Sequence, residues 1–509
     1  MFIGYLTFTL ITAIIRQSSC SCVVEQTHIT LGDKYSLEQT DSDHALTIGF
    51  VTSECKSMPI VKLHVKDGSD IDLDHFTEKT ADYQIIDQSL PDKRSVTYLK
   101  TALFFKVTDG HLAKAASWSV YHGGTMVEGP INFPTRFRST QDSFRIFVVA
   151  DMDLSKESES TVAKIRDIKD DDYDMFVHVG DYAYEIEDYG GRSGDEFFQE
   201  MSKTSKRIPY LAVPGNHESY EGGNLFNYRF RMPNINDKNL TTGNHIFDFV
   251  FKGTYFIVVD FDYIMPSYKK PGDPAKDIFD WMTSRLEILK GRVDITWKVL
   301  ISHRPFSCSE WSMFDCPFNM YWLRVYEDLL SKHGFHVLLQ AHNHIYTRSK
   351  PLRGIEIMPD SKIGSGAMVS IIDGHSGTKH RYLNESDEQL SWSRLTAEVD
   401  ASGPTYLTVE VGDSIFATTL VRSDTGEVRD RMSIDRNTLN DRKLKIRSDW
   451  MFVVGLLSLL LVALVLTGIW IIRRCCKEKS DIGRKIVDNC TVESYNSVDD
   501  TLPTSEQYA

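Results

Sequence analysis

The chain has 509 residues, with 57 Lys and Arg against 71 Asp and Glu and a formal net charge of −14 at pH 7. That length leaves room for roughly two or three folded units, and with 41% hydrophobic and 25% charged residues the composition is globular. The acidic balance excludes a general nucleic-acid binder, whose phosphate contacts come from Lys and Arg; small phosphorylated ligands stay open, because a local metal centre outweighs global charge.

In chain order, Phe2 to Ile15 is apolar and Arg16-Gln17-Ser18-Ser19-Cys20 is small and polar. Residues 1–20 therefore read as a signal peptide, with a buried strand or helix as the alternative. Residues 22–140 read as an all-β sandwich domain. Runs such as Ala45–Val51, Ile60–Val65 and Leu103–Val107 alternate with Asp, Gly and Ser turns and carry no catalytic cluster.

From residue 143 to 436 the texture changes to alternating strands and helices, the mark of an α/β domain. Strands are expected at Arg145–Ala150, Met175–Val179, Tyr210–Val213, Tyr255–Asp260, Trp297–Ile301 and His336–Gln340. Helices are expected at Lys156–Lys169, Asp195–Ser205, Ala275–Lys290 and Tyr321–Lys332, with β structure again from Gly364 to Ile434.

Trp450 to Ile472 contains no charge. A helix of that length spans about 34 Å, enough for a bilayer core, so 450–472 reads as a transmembrane helix. Basic residues flank both ends: Arg442, Lys443, Lys445 and Arg447 before it, Arg473, Arg474 and Lys477 after it. The positive-inside rule alone is ambiguous; the signal peptide breaks the tie and makes 473–509 a cytosolic tail of a single-pass type I membrane protein. Cys22, Cys55, Cys308 and Cys316 then lie in an oxidising space. Cys308 with Cys316 and Cys22 with Cys55 is one pairing, which sequence does not fix. Cys475 and Cys476 are acylation candidates or inert thiols. Asn239 and Asn384 stand in glycosylation sequons.

Polar residues then fall at the ends of the strands. Asp151 follows Val148-Val149-Ala150, Asp181 follows Val177-His178-Val179-Gly180, and Asn216, His217 and Glu218 follow Leu211 to Gly215. His303 follows Val299 to Ser302, and His342 and His344 follow Val337 to Ala341. Ligands of open α/β sheets collect outside the carboxyl ends of strands. Singly, each residue has a plain alternative: an Asp there caps a helix, and Gly-Asp or Asn-His makes a turn. Together they suit a pair of metal ions, since carboxylates and imidazoles bind iron, zinc and manganese. A carboxylate can bridge two ions, and His342-x-His344 can offer an imidazole to each.

The series Asp151-x-Asp153, Gly180-Asp181-x-x-Tyr184, Gly215-Asn216-His217-Glu218, Val299-x-x-x-His303 and Ala341-His342-x-His344 resembles the purple acid phosphatases of the calcineurin-like metallophosphoesterases. Arg304-Pro305, Tyr346-x-Arg348, Ser117-Trp118-Ser119 and the stretch from Arg422 extend the likeness to most of the ectodomain, in the large type with a fibronectin-like β domain. The resemblance implies a metallophosphoesterase double-sheet α/β sandwich. It implies a ferric ion on Asp151, Tyr184 and His344, a divalent iron, zinc or manganese ion on Asn216, His303 and His342, and Asp181 as the bridge. It further implies an acid phosphatase that hydrolyses small phosphomonoesters with a metal-bound hydroxide.

His217 is the expected proton donor to the leaving group, oriented by Glu218, or else a partner for phosphate charge. Three positions depart from the family: Asp153 for glycine, which adds a carboxylate near the first metal or points away; Ala341 for glycine; and a Phe306–Glu310 loop without the histidines of many plant enzymes. Rival readings are a phosphodiesterase or nucleotide pyrophosphohydrolase of the same superfamily, and a non-catalytic receptor ectodomain. In the tail, Tyr495-Asn496-Ser497-Val498 resembles an adaptor-binding sorting signal, which points to the cell surface or to endosomes and lysosomes.

Overall fold

The computed structural model describes residues 22–37, 43–86 apart from 54 and 56, 95–135, 142–219, 224–233, 243–264, 274–306, 316–378 apart from 355, 396–437 apart from 401, 439, 461 and 463–474. Residues up to Leu439 form one compact unit and Asn440–Ala509 a second.

The first unit begins with two four-stranded sheets. One runs Val24–Leu31, His44–Thr52, Ser95–Thr108, His75–Ile86, and the other Asp70–Leu73, Ile60–Val65, Ala115–His122, Thr125–Asn132. Every pairing is antiparallel. The period-two pattern shows in Ile60–Val65, where Val61 and Leu63 are buried and Lys62 and His64 are not. Ile48, Phe50 and Phe105 of one sheet share an apolar cluster with Leu63 and Trp118 of the other. A disulfide joins Cys22 to Cys55, with Cα atoms 4.7 Å apart; Cys308 and its proposed bond to Cys316 lie outside the described residues, as does the boundary proposed at 140.

Two larger sheets follow. The first orders Tyr210–Val213, Met175–Val179, Phe144–Val149, Thr405–Val411, Ile415–Arg422 and Val428–Asp435. Its first three strands are parallel and the rest antiparallel. The second orders Ile246–Phe251, Thr254–Val259, Trp297–Ile301, Val337–Gln340, Val369–Asp373, Tyr346–Ser349 and Thr396–Asp400. Four neighbours in it, from Thr254–Val259 to Val369–Asp373, are parallel.

Parallel strands buried on both faces need continuous apolar runs rather than alternation, which is how Ile146–Val149 and Val299–Ile301 read after the half-buried Arg145 and Lys298. Alternation decides only which layer each side chain enters. Val299 and Ile301 join the core shared with the first sheet, whereas Leu300 packs with Ile278, Met282 and Leu330 of the covering helices Pro274–Leu289 and Cys316–Lys332. The result is a double-sheet α/β sandwich, as expected.

Elements fall near their predicted places, with local differences. The helix expected over 156–169 is a 3-10 turn at Lys156–Ser158 and an α-helix at Glu159–Asp167. The helix expected from Asp195 starts at Asp188, but Tyr189, Gly190 and Gly191 are left-handed, so its regular part begins after them.

The β domain is tied to the α/β layers by polar side chains. A bulge between Glu25 and His28 and a φ of 56° at Gln26 turn that side chain outward from its sheet. Its amide nitrogen donates to Asp195 at 2.7 Å, and its carbonyl accepts from Arg229 Nε at 3.0 Å.

In the second unit, Leu461 and 463–474 are helical, and Leu464, Trp470 and Ile472 are exposed. Among the described residues no helix is long and apolar enough to cross a membrane. Residues 450–460 and 462 of the predicted span, the signal peptide, Asn239, Asn384 and Tyr495–Val498 lie outside the described residues.

Candidate metal centre

Within each sheet the parallel strands point their carboxyl ends the same way, and the polar residues that follow them in the two sheets meet. Asp151 begins the loop after Phe144–Val149, Asp181 the loop after Met175–Val179, and Asn216 the short helix Asn216–Ser219 after Tyr210–Val213. His303 and His342 follow the neighbouring strands Trp297–Ile301 and Val337–Gln340 of the other sheet. Asp151, Asp181 and His342 all sit in the left-handed backbone region, with φ of 53°, 55° and 72°. Asp, Asn and His enter that region more readily than most residues, and strain of this kind gathers at functional sites.

The two motif glycines are explained by close approach. A Cβ on Gly180 would lie 2.5 Å from His303 Nδ1, and one on Gly215 would lie 2.3 Å from Asp181 Oδ1. Only glycine lets these strand ends pack directly against the site.

Two donor groups result, each with its atoms within 4.8 Å of one another: Asp181, His303 and His342, and Asp151, Asp181 and His344. Asp181 is common to both. Beside the second group, the Tyr184 hydroxyl lies 3.0 Å from His344 Nε2 and 3.3 Å from Asp151 Oδ1. Beside the first, Asn216 Oδ1 and Asp181 Oδ1 each lie 3.2 Å from His303 Nε2. His303 Nδ1 faces the Val179 carbonyl at 2.8 Å. That carbonyl only accepts, so the proton sits on Nδ1 and Nε2 is the nitrogen presented to the cluster. All seven residues singled out as ligands therefore come together.

The donor set fits cations. Asp151 and Asp181 are buried carboxylates in one group, and like charges so placed call for positive charge between them. Burial raises Asp181, but His303, His217 and His342 outweigh it and hold its carboxyl well below the usual range. Burial lowers His303, but Asp181 and Asp151 outweigh it and carry the ring up to about 10. Burial, with Asp151 and Asp181 adding to it, pushes the Tyr184 phenol far up. Without a cation His303 and Tyr184 thus keep their protons while Asp181 stays ionised, so a cation bound by these two groups would displace protons from them.

His217 lies beside this cluster, with Nε2 3.7 Å from Asp181 Oδ2. The orienting role expected of Glu218 is corrected. Its side chain is buried and turned to the backbone: Oε2 accepts from the amides of Asp181 and Gly215, each at 2.8 Å, and Oε1 from that of Tyr182 at 2.9 Å. Neighbours one apart on a helical turn do not face the same way, so His217 and Glu218 diverge. The carboxylate on His217 is Glu185, whose Oε1 is 2.6 Å from Nδ1; its place in the chain gave no signal of this.

Asp153 belongs to neither donor group. Its Oδ1 accepts from the amide and hydroxyl of Ser155 at 2.9 and 2.5 Å and from Ser158 Oγ at 2.9 Å, so it braces the turn before Glu159–Asp167. A further contact was not anticipated: Arg304 Nη1 lies 3.0 Å from His342 Nε2 while Nε lies 2.5 Å from Asp262 Oδ1. Among the other histidines, His178 is buried with Nδ1 3.2 Å from the Tyr210 hydroxyl, and His245 pairs with Asp260 at 2.6 Å. His375 is buried, and His380 lies outside the described residues.

Residues 144–346 match the calcineurin-like phosphoesterase family. Acid phosphatase type 7 of Homo sapiens is 26% identical over 302 residues, 56% of this chain and 66% of that protein. The Danio rerio protein of the same name is 25% identical over 266 residues, 47% of this chain and 57% of its own length. The chain thus spans less than two thirds of these relatives. A purple acid phosphatase from yellow lupin (Lupinus luteus) seeds has the same fold, with TM-score 0.56 and 14% identity over 81% of this chain and 74% of that one. PhoD gives TM-score 0.51 and 11% identity over 82% of this chain and 90% of its own. The strand-end donors thus all lie within residues 144–346, the stretch that matches the calcineurin-like phosphoesterase family.

Proposed function

We propose that the chain is an acid phosphatase of the purple type, hydrolysing small phosphomonoesters with two metal ions. Asp151, Tyr184 and His344 would hold a ferric ion, Asn216, His303 and His342 a divalent iron, zinc or manganese ion, and Asp181 would serve both. The observation that carries this reading is Asp181's membership in two donor groups at once, with the Tyr184 hydroxyl at the edge of one of them. Two cations there would draw charge from phosphoryl oxygens and make water acidic enough to attack phosphorus.

The protein's own part is positioning. Glu218 ties the amides of Asp181, Tyr182 and Gly215 and so fixes two donor-bearing loops to one another. The Val179 carbonyl fixes the His303 ring. His217 is partly exposed beside Asp181, where it can give a proton to a departing alkoxide.

The ectodomain would face an extracytoplasmic space, with a signal peptide at 1–20, the membrane helix at 450–472, a cytosolic tail bearing the Tyr495–Val498 sorting signal, and glycans on Asn239 and Asn384. The Cys22–Cys55 disulfide supports this placement, since such bonds persist in oxidising compartments.

The test is a metal count and visible spectrum on the purified protein, with p-nitrophenyl phosphate turnover at acidic pH. A broad visible band with about two metals per chain and acid turnover is expected. A protein that takes up iron and zinc yet stays colourless and inert overturns the reading.

A further inference from the structure

We propose that Glu185 is the positioning residue of His217, holding its ring so that Nε2 faces the reacting phosphate. The inference rests on His217 being the proton donor of the proposed reaction.

The geometry begins with an unusual turn. Ala183 and Tyr184 are consecutive residues in the left-handed region, with φ of 59° and 43°. Such a pair reverses the chain sharply and sends adjacent side chains to different places. Tyr184 goes to Asp151 and His344, and Glu185 goes to His217. The His217 ring is then held on two sides: its centroid lies 4.9 Å from that of Tyr184, edge to face, and its Nδ1 lies 2.6 Å from Glu185 Oε1. A carboxylate accepts and does not donate, so Nδ1 donates its proton to Glu185, and the second proton of the imidazolium, on Nε2, is the one passed to the leaving alkoxide, which leaves the neutral Nδ1–H ring. Nε2 lies on the Asp181 side, 3.7 Å from Oδ2. Glu218 cannot serve in place of Glu185, because both of its oxygens are taken by backbone amides. Both members of the pair keep contact with solvent, with side chains 26% and 33% exposed, so a leaving group can reach the ring.

The test uses Glu185→Ala, Glu185→Gln, His217→Ala and the Glu185→Ala/His217→Ala double variant in the full-length, metal-loaded chain. With an alkyl phosphate, Glu185→Ala should lower kcat roughly a hundredfold, the scale of a misplaced catalytic group, with KM changed less than about threefold. The loss should be smaller with p-nitrophenyl phosphate, whose leaving group needs little protonation. Glu185→Gln keeps an acceptor oxygen and should restore most of the rate. The double variant should be no slower than His217→Ala alone.

A second readout needs no turnover: the rate at which diethyl pyrocarbonate labels His217, followed by peptide mass spectrometry. It should rise several-fold in Glu185→Ala, where the carboxylate no longer covers and holds the ring. Wild-type kinetics and labelling in Glu185→Ala would overturn the proposal, as would metal loss without rescue by Glu185→Gln or additive losses in the double variant. If the wild-type chain hydrolyses no phosphomonoester, the functional reading fails, and the labelling experiment alone decides whether Glu185 holds the ring.

Discussion

Tyr184 and His344 are 160 residues apart in sequence, yet the phenol oxygen lies 3.0 Å from Nε2 of the histidine. Both side chains are half-buried beside Asp151, where a shared ion would account for three donor groups brought so close. Burial and the neighbouring carboxylates push the phenol far up, so only a strong Lewis acid would keep it ionised at low pH. Tyr184→Phe should therefore abolish the visible band of the iron-loaded protein while leaving the fold intact. The lost hydrogen bond costs about 1 kcal/mol. Optical spectroscopy with a metal assay checks this, and a variant that keeps its colour would remove Tyr184 from the site.

Glu218 gives a prediction on stability rather than on chemistry. Both of its oxygens receive backbone N–H groups. Glu218→Gln places an amide N–H₂ against at least one of those donors, which leaves buried polar groups unpaired. A loss of about 1–3 kcal/mol is expected, read as a lower denaturation midpoint. Direct loss of the proton-donor step would instead leave the midpoint unchanged and lower kcat for poor leaving groups only.

Gly215→Ala tests the close packing of strand ends. Its Cβ would stand 2.3 Å from Asp181 Oδ1 and 2.7 Å from the Asp181 amide, and neither can retreat without moving the loop that Glu218 pins. Asp181 is the donor common to both groups. The variant should bind fewer than two metals per chain by mass spectrometry of the washed protein, and near-full metal content would argue that the loop is softer than its hydrogen bonds imply.

Much of this site was legible because five buried apolar strands each ended in a metal-ligand residue type. A parallel sheet places all such ends on one side, so order along the chain translated into proximity in space. The β domain was legible from alternation, as at Val61 and Leu63. What was not legible depended on backbone direction. Adjacency in sequence points Glu218 at His217, but the helical turn at Asn216–Ser219 separates them. Glu185 carries no such signal, because only the left-handed turn at Ala183 and Tyr184 aims it at His217. The Arg304 contacts to Asp262 and His342 bridge three loops, and no local pattern encodes that.

Asp153 is the departure from the family that the structure makes specific. With Oδ1 engaged by Ser155 and Ser158, it acts on the turn that leads into Glu159–Asp167 and not on the cluster. Asp153→Gly should keep full metal content and lower stability by about 1 kcal/mol, the scale of a lost helix-end acceptor. Metal analysis beside thermal denaturation separates the outcomes, and a variant with altered metal affinity but unchanged stability would put the carboxylate back in the site.

The His303–Asp181 pair predicts how the metal-free chain responds to pH. His303 is carried from an ordinary 6.5 up to about 10 by Asp181 and Asp151, against the opposing effect of burial. A group protonated more readily folded than unfolded stabilises the fold fully below 6.5, and that contribution is lost as pH rises through about 10. Asp181 works in the other direction. Its lowered pKa stabilises the fold above 3.8 and the benefit disappears as pH falls. The pair therefore favours the metal-free chain most between these limits, and its denaturation temperature should fall as pH is raised from 6.5 toward 10. A cation held by His303 Nε2 would replace the proton, so the metal-loaded chain should show a flatter profile there and should release protons on loading. Calorimetry of chelated and reloaded protein across that range measures the difference. Identical profiles would mean that His303 holds no extra proton without metal, and that the carboxylates around it are neutralised by some other group.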